Sequence, residues 1–138
     1  MFSACKKDKL KDDKEILIGI WNWETTSSIS NMCTKYSSEY IYDTLTPLSE
    51  KNNYSIEFLE KGKINFYKND EKINSKRIVF KIWRASIHQN WEYDCSITLN
   101  NDNENRMSIN VKNDSLLIRQ FPFDDGDCNN SFNYFSKQ

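Results

Sequence analysis

Five apolar side chains at every second position, Trp91, Tyr93, Cys95, Ile97 and Leu99, constrain this chain more than any other feature. Period two places all five on one face of an extended strand; on a helix they would scatter around the axis. The same alternation recurs in short runs. Tyr54, Ile56 and Phe58 alternate with Ser55 and Glu57, Lys61-Gly62 makes a tight turn, and Ile64 and Phe66 return as the second arm of a hairpin. After a charged turn from Asn69 to Asn74 come Ile78, Phe80 and Ile82, with Val79, Lys81 and Trp83 on the opposite face. Met107, Ile109 and Val111 follow, then Leu116 and Ile118 beyond a turn at Lys112-Asn113-Asp114, and last Phe132 and Tyr134.

The first strand reads from Ile16 to Thr26, with Gly19-Ile20-Trp21 at its entry and Trp21 and Trp23 sharing a face. Eight short strands joined by polar turns, with no useful helical period, predict an all-β fold. The expected architecture is an eight-stranded antiparallel up-and-down β-barrel, with a smaller Greek-key or OB-type barrel as the alternative. Composition agrees, since aromatic residues make up 14% while glycine and proline number only three and two.

Residues 1–15 read differently from residues 16–138. From Lys6 to Glu15 the chain is almost wholly charged, with Leu10 its only apolar residue. Such a stretch is expected to bury nothing and to act as a flexible tether. Residues 16–138 are long enough for one barrel domain with its own core, expected to be monomeric. A net charge of −1 and a pI near 5.9 give no electrostatic reason to expect nucleic acid.

The start of the chain, Phe2-Ser3-Ala4-Cys5 followed by Lys6-Lys7-Asp8, resembles a bacterial lipobox. The resemblance implies a lipid anchor on Cys5 and residence in the cell envelope. The expected form is an outer-membrane lipoprotein facing the periplasm or the surface. A secretory signal carries an apolar stretch of about 7–15 residues before its cleavage site; only Met1 to Ala4 precede Cys5 here, so either the reading frame begins upstream or the match arises by chance.

Catalytic and metal-binding patterns are weak. His88 is the only histidine, no Cys-x-x-Cys pair occurs, and no nucleophile elbow is present. His88 falls in the polar connection Arg84 to Asn90, where an exposed turn residue is expected. Asp124-Asp125-Gly126-Asp127 lacks the spaced oxygens and terminal glutamate of a calcium loop. It reads as an acidic turn, and Asn100 to Asn105 as a solvated one. No enzymatic activity, cofactor or metal is expected.

Two features point to binding instead. The alternation lines a barrel interior with Trp21, Trp23, Tyr54, Phe58, Phe80, Trp91 and Tyr93, and small barrels hold either a ligand or their own side chains there. The second feature is a long polar loop from Ser27 to Asn53, carrying Tyr36, Tyr40 and Tyr42. Its length exceeds the ~12–15 residues above which loops are usually functional or disordered, and tyrosines suit a contact surface.

Gly19 and Trp21, Thr46-Pro47, and Asp125-Gly126 followed by Phe132 and Tyr134 together resemble the lipocalin-like lipoproteins of Bacteroidetes. That resemblance implies a barrel whose tryptophan closes the base beneath a basic residue near the C-terminus, for which Lys137 and Arg119 are the candidates. It also implies a small apolar or amphipathic ligand. The alternative is a rigid scaffold whose loops bind a protein partner, in the manner of a protease inhibitor. In such a barrel the first and last strands pair, bringing Cys33 near Cys128. A Cys33–Cys128 disulfide is expected, with Cys33–Cys95 as the rival pairing, and such bonds persist in exported proteins.

Overall fold

The computed structural model describes residues 8–29, 42–100, 102–119 and 131–138. Nine strands form among the described residues: β1 Gly19–Ile29, β2 Tyr42–Leu45, β3 Tyr54–Leu59, β4 Lys63–Lys68, β5 Glu71–Ala85, β6 Tyr93–Leu99, β7 Asp102–Lys112, β8 Ser115–Ile118 and β9 Ser131–Lys137. β1 and β3 to β9 pair in succession, and β9 closes onto β1. Every pairing is antiparallel. The molecule is therefore the closed eight-stranded up-and-down barrel read from the alternation, with β2 as an added strand.

Tight connections set the registers. Asn69 and Asp70 both take positive φ, 51° and 68°, between the paired Lys68 and Glu71; this two-residue geometry matches the right-handed twist of a hairpin. The link from β3 to β4 ends on Gly62 at φ 93°. A Cβ there would stand 2.4 Å from the Asp8 carbonyl oxygen, so glycine serves both the turn and a close chain approach.

One hydrophobic cluster fills the described barrel. It includes Trp21, Trp23, Ile56, Phe58, Ile64 and Phe66, and continues around the wall through Ile97, Ile109, Leu116 and Phe135. Registers confirm a common inner face: Trp21 lies opposite Ile56, Ile56 opposite Phe66, and Phe58 opposite Ile64.

β-Bulges account for the main departures from strict alternation. Phe80 pairs with Ile97 but Ile82 with Ser96, leaving Lys81 as an extra residue in β5. One extra residue inverts the faces beyond it. Trp83 therefore packs on the core, and Ile82, expected to share the inner face of Phe80, is turned out and 43% exposed. A second bulge at Glu24, between Trp23 and Thr25, turns Thr26 inward. In β9 the buried residues are Asn133 and Phe135, not Phe132 and Tyr134.

The stretch expected to be a free tether is docked from Asp8 onward. Its backbone N–H donates to the Ile78 carbonyl at 2.8 Å, and its carboxylate accepts from the Phe80 N–H at 2.8 Å. The Leu10 N–H donates to the Glu60 carbonyl, and a 3-10 helix over Asp12–Leu17 follows. Leu10 and Leu17 are fully buried in the core cluster. This corrects the expectation that Lys6 to Glu15 buries nothing: the segment closes the end of the barrel where β1 begins and β3 and β9 finish.

The expected loop from Ser27 to Asn53 is also partly structured. β1 runs through to Ile29, β2 pairs back on it from Thr26↔Leu45 to Ile29↔Tyr42, and a short helix α1 spans Pro47–Glu50. Thr46 caps α1 by accepting from the Ser49 N–H, with a reciprocal bond to the Ser49 hydroxyl. Among the described residues no helix is long and apolar enough to cross a membrane.

Candidate functional site

The two ends of the barrel differ in chemistry. At the closed base, the fully buried Trp21 donates its indole N–H to the Leu17 carbonyl at 2.8 Å. The Lys137 ammonium sits 5.3 Å above the Trp21 ring and also donates to the Ile16 carbonyl at 3.2 Å. Of the two basic candidates, Lys137 is thus the one over the tryptophan. Arg119 lies elsewhere, 5.6 Å from the Phe132 ring. Glycine at position 19 (φ 127°) accommodates this lysine, since a Cβ there would meet the Lys137 Cε at 3.1 Å.

The opposite end is aromatic and polar together. Trp23 and Tyr54 meet edge to face, centroids 5.3 Å apart at 72°, an arrangement the ring quadrupoles favour. The Lys68 ammonium lies 5.9 Å from the Tyr54 ring. The Trp23 indole N–H donates to the Thr26 hydroxyl at 2.8 Å, which donates to the Asn133 side-chain oxygen at 2.6 Å. Asn133, fully buried, donates in turn to the Ile118 carbonyl at 3.0 Å. Three side chains from β1 and β9 thus fix one another inside the barrel, with hydrogen bonds that meet the cost of burying polar groups.

Beside this network the wall is interrupted. β3 pairs with β1 only from Gly19 to Asn22, and β2 occupies the same edge of β1 only from Thr26 onward. That edge of β1 thus passes from β3 to β2 between Asn22 and Thr26. A pocket of about 200 Å³ opens at this gap, lined by Asn22, Trp23, Asn53, Tyr54, Ser55 and Asp70. It is a small concavity whose lining is mostly polar, with Trp23 and Tyr54 as its two aromatic residues.

No protein-family model matches this chain, and neither a curated protein nor a solved structure does.

The expected interior residues divide into three groups. Trp21 and Phe58 are buried in the packed base, and Trp23 and Tyr54 meet at the gap. Phe80 and Tyr93 are partly buried against the core, both around Trp83: Phe80 edge-on at 5.7 Å and Tyr93 stacked at 4.9 Å. Trp91 is a correction. It precedes β6, lies outside the core cluster, and has the Lys112 ammonium 5.8 Å from its ring. The strand starts two residues later than its alternation implied because Ser86 to Glu92 form the connection to β5, closed by Ser86 N–H to the Glu92 carbonyl.

Tyr36 and Tyr40 lie outside the described residues, as do Cys5, Cys33, Cys128 and the acidic turn Asp124 to Asp127; for Tyr42 only the backbone, in β2, is described. Cys95 is a free, buried thiol and so does not form the rival pair with Cys33. Burial, and then the adjacent Asp94 carboxylate, push its pKa far above the ordinary thiol range, against a smaller opposing effect of Lys14. His88 is exposed in the β5–β6 connection. Asn100 is a turn residue at φ 56°, and β7 already begins at Asp102, so the solvated turn is shorter than expected.

Thr26 and Asn133 are the residues that sequence reasoning missed. Both are polar and sit next to aromatic or bulged positions, where alternation counts them as outward. The bulge at Glu24 brings Thr26 inside, and Asn133 is inside because β9 buries the face of Phe135 and not that of Phe132 and Tyr134.

Proposed function

We propose that this protein is an exported lipoprotein, anchored through Cys5, whose lipocalin-like barrel binds a small apolar or amphipathic ligand at its Trp23–Tyr54 end. The observation that carries the reading is the pocket of about 200 Å³ where the edge of β1 passes from β3 to β2, with Trp23 and Tyr54 in its lining. An amphipathic ligand would lay its apolar part on the two rings and direct its polar part to the Asn22, Asn53 and Asp70 rim. The Lys137 ammonium over Trp21 agrees with the base that the lipocalin resemblance implies.

The anchor adds an orientation. Cys5 precedes the docked Asp8 by three residues, a reach of about 10 Å at full extension. A lipid on Cys5 would hold the closed base against the bilayer and leave the Trp23–Tyr54 end facing away.

A second reading, the rigid scaffold that binds a protein through its loops, draws on a different observation. Trp21, Ile56, Phe58, Ile64 and Ile78 are all at or below 1% exposure, so among the described residues the base and middle of the barrel are packed with side chains. A protease inhibitor built this way would lose little entropy on docking.

Native mass spectrometry of the full chain purified from a bacterial host separates the two. A discrete extra mass lost on denaturation, and reduced by Tyr54→Ala, supports the carrier. A bare mass favours the scaffold. Detergent-phase partitioning abolished by Cys5→Ser tests the anchor independently of either outcome.

A further inference from the structure

The outer face of β5 to β8 carries a second polar concavity, far in character from the aromatic end. Pairing registers place Arg84, Asp94 and Asn110 on one rung, and Ile82, Ser96 and Ser108 on the next. Arg119 extends the second rung, its N–H donating to the Ser108 carbonyl at 3.1 Å. Arg84 and Arg119 therefore stand three strand spacings and one rung apart, about 16 Å at the backbone. Both line the same groove of about 220 Å³.

Their guanidinium groups are under-used. Arg84 Nε is 3.9 Å from the Asp94 carboxylate, beyond hydrogen-bonding distance. Arg119 donates weakly to the Asn110 side-chain oxygen, at 3.5 Å, lies 5.6 Å from the Phe132 ring, and has no carboxylate partner among the described residues. Asp94 instead accepts from the Asn110 amide, and its side chain is 16% exposed. The Asp94–Asn110 pair thus forms a hydrogen-bonded floor with a guanidinium on each side. Two cations against one carboxylate leave a formal excess of one positive charge.

We propose that this groove binds a small organic anion, a carboxylate or phosphate monoester, held between Arg84 and Arg119. Planar guanidinium forks match both groups in bidentate fashion. The Ser96 and Ser108 hydroxyls supply further donors from the floor. Ile82, 43% exposed at the groove edge because of the Lys81 bulge, gives an apolar substituent somewhere to rest. That selects an organic anion over a bare inorganic one.

The test is calorimetric titration of the full chain with phenyl phosphate, phenylacetate and, as a cationic control, benzylamine. At least one anion should bind saturably and benzylamine should not. Arg84→Gln and Arg119→Gln should each weaken binding about tenfold, the loss of one charge-assisted contact. Lys72→Gln, exposed on β5 outside the groove, should leave it unchanged. Arginine Nε–Hε resonances of the unmutated protein should shift during the same titration, a readout independent of variant folding. Phenyl phosphate binding alone assigns the groove to phosphate esters, and phenylacetate binding alone assigns it to carboxylates. Failure of both anions to bind the folded protein would overturn the proposal. So would undiminished affinity in the double Arg84→Gln/Arg119→Gln variant.

Discussion

Replacing Leu10 with alanine should destabilise the barrel although Leu10 sits in the most charged stretch of the chain. Its side chain is fully buried in the core cluster with Leu17. Removing a buried leucine costs transfer free energy plus a cavity term, about 2–5 kcal/mol. On an exposed tether the same change would stay within about 0.5 kcal/mol. For a domain of this size a 3 kcal/mol loss lowers Tm by about 10 °C. Urea unfolding followed by tryptophan fluorescence reads the midpoint, and Trp21, bonded to the Leu17 carbonyl, reports the base directly. Gly62→Ala offers a cross-check, because its Cβ would strike the Asp8 backbone at 2.4 Å and displace the same segment. The two changes should be markedly less than additive, since each undocks what the other destabilises. A Leu10→Ala midpoint equal to that of the unmutated chain would refute the docked segment and restore the free tether.

Lys137→Met removes both the cation over Trp21 and the bond to the Ile16 carbonyl; a loss of about 1–2 kcal/mol is expected in the same urea assay. Tyr67 donates to Glu57 at 2.8 Å, and this bond, with desolvation and the carboxylate charge, raises its pKa above 10.0. Spectrophotometric titration should show one tyrosine ionising late, and Glu57→Gln should return it toward the ordinary range. The associated stability is intact below the ordinary tyrosine pKa and is lost as pH rises through the raised folded value. Cys95 should resist thiol reagents at pH 8 in the folded protein and react in urea, since its raised pKa leaves almost no thiolate. Its contribution likewise holds below the ordinary thiol pKa and declines as pH climbs above it.

Much of the barrel was legible because alternation is a local property. The hairpin of β3 and β4, the inner face of β6 from Cys95 to Leu99, and the order of the strands follow from side chains two residues apart. The errors have two causes. Ile82 and Thr26 lie beyond bulges, and a bulge depends on the partner strand, which local pattern does not contain. In β9 aromatics stand on both faces, Phe132 and Tyr134 against Phe135, so the pattern alone did not choose the face that brings Asn133 inside. Trp91 continued an alternation past the end of its strand, where backbone bonding to His88 and Val111 through Trp91 and Glu92 takes over. Of the candidate site, the aromatics Trp23 and Tyr54 were readable from their spacing. The gap between them was not, because it arises where β3 hands the edge of β1 to β2.

The sequence by itself determined an all-β chain with one aromatic-rich core, since period-two hydrophobicity is incompatible with any stable helix face. It also indicated the succession of strands from β3 to β8, because each of those turns lies within a few residues of the strands it joins. Only the tertiary structure decided that a charged segment seals the base. A single leucine among nine charged neighbours carries no periodicity, yet the open end of a barrel offers it a complete apolar socket. The tertiary structure likewise decided which lysine covers Trp21 and which arginines flank the outer groove. Those pairings join residues roughly a hundred positions apart or three strands apart, and their energies exist only once the sheet has closed.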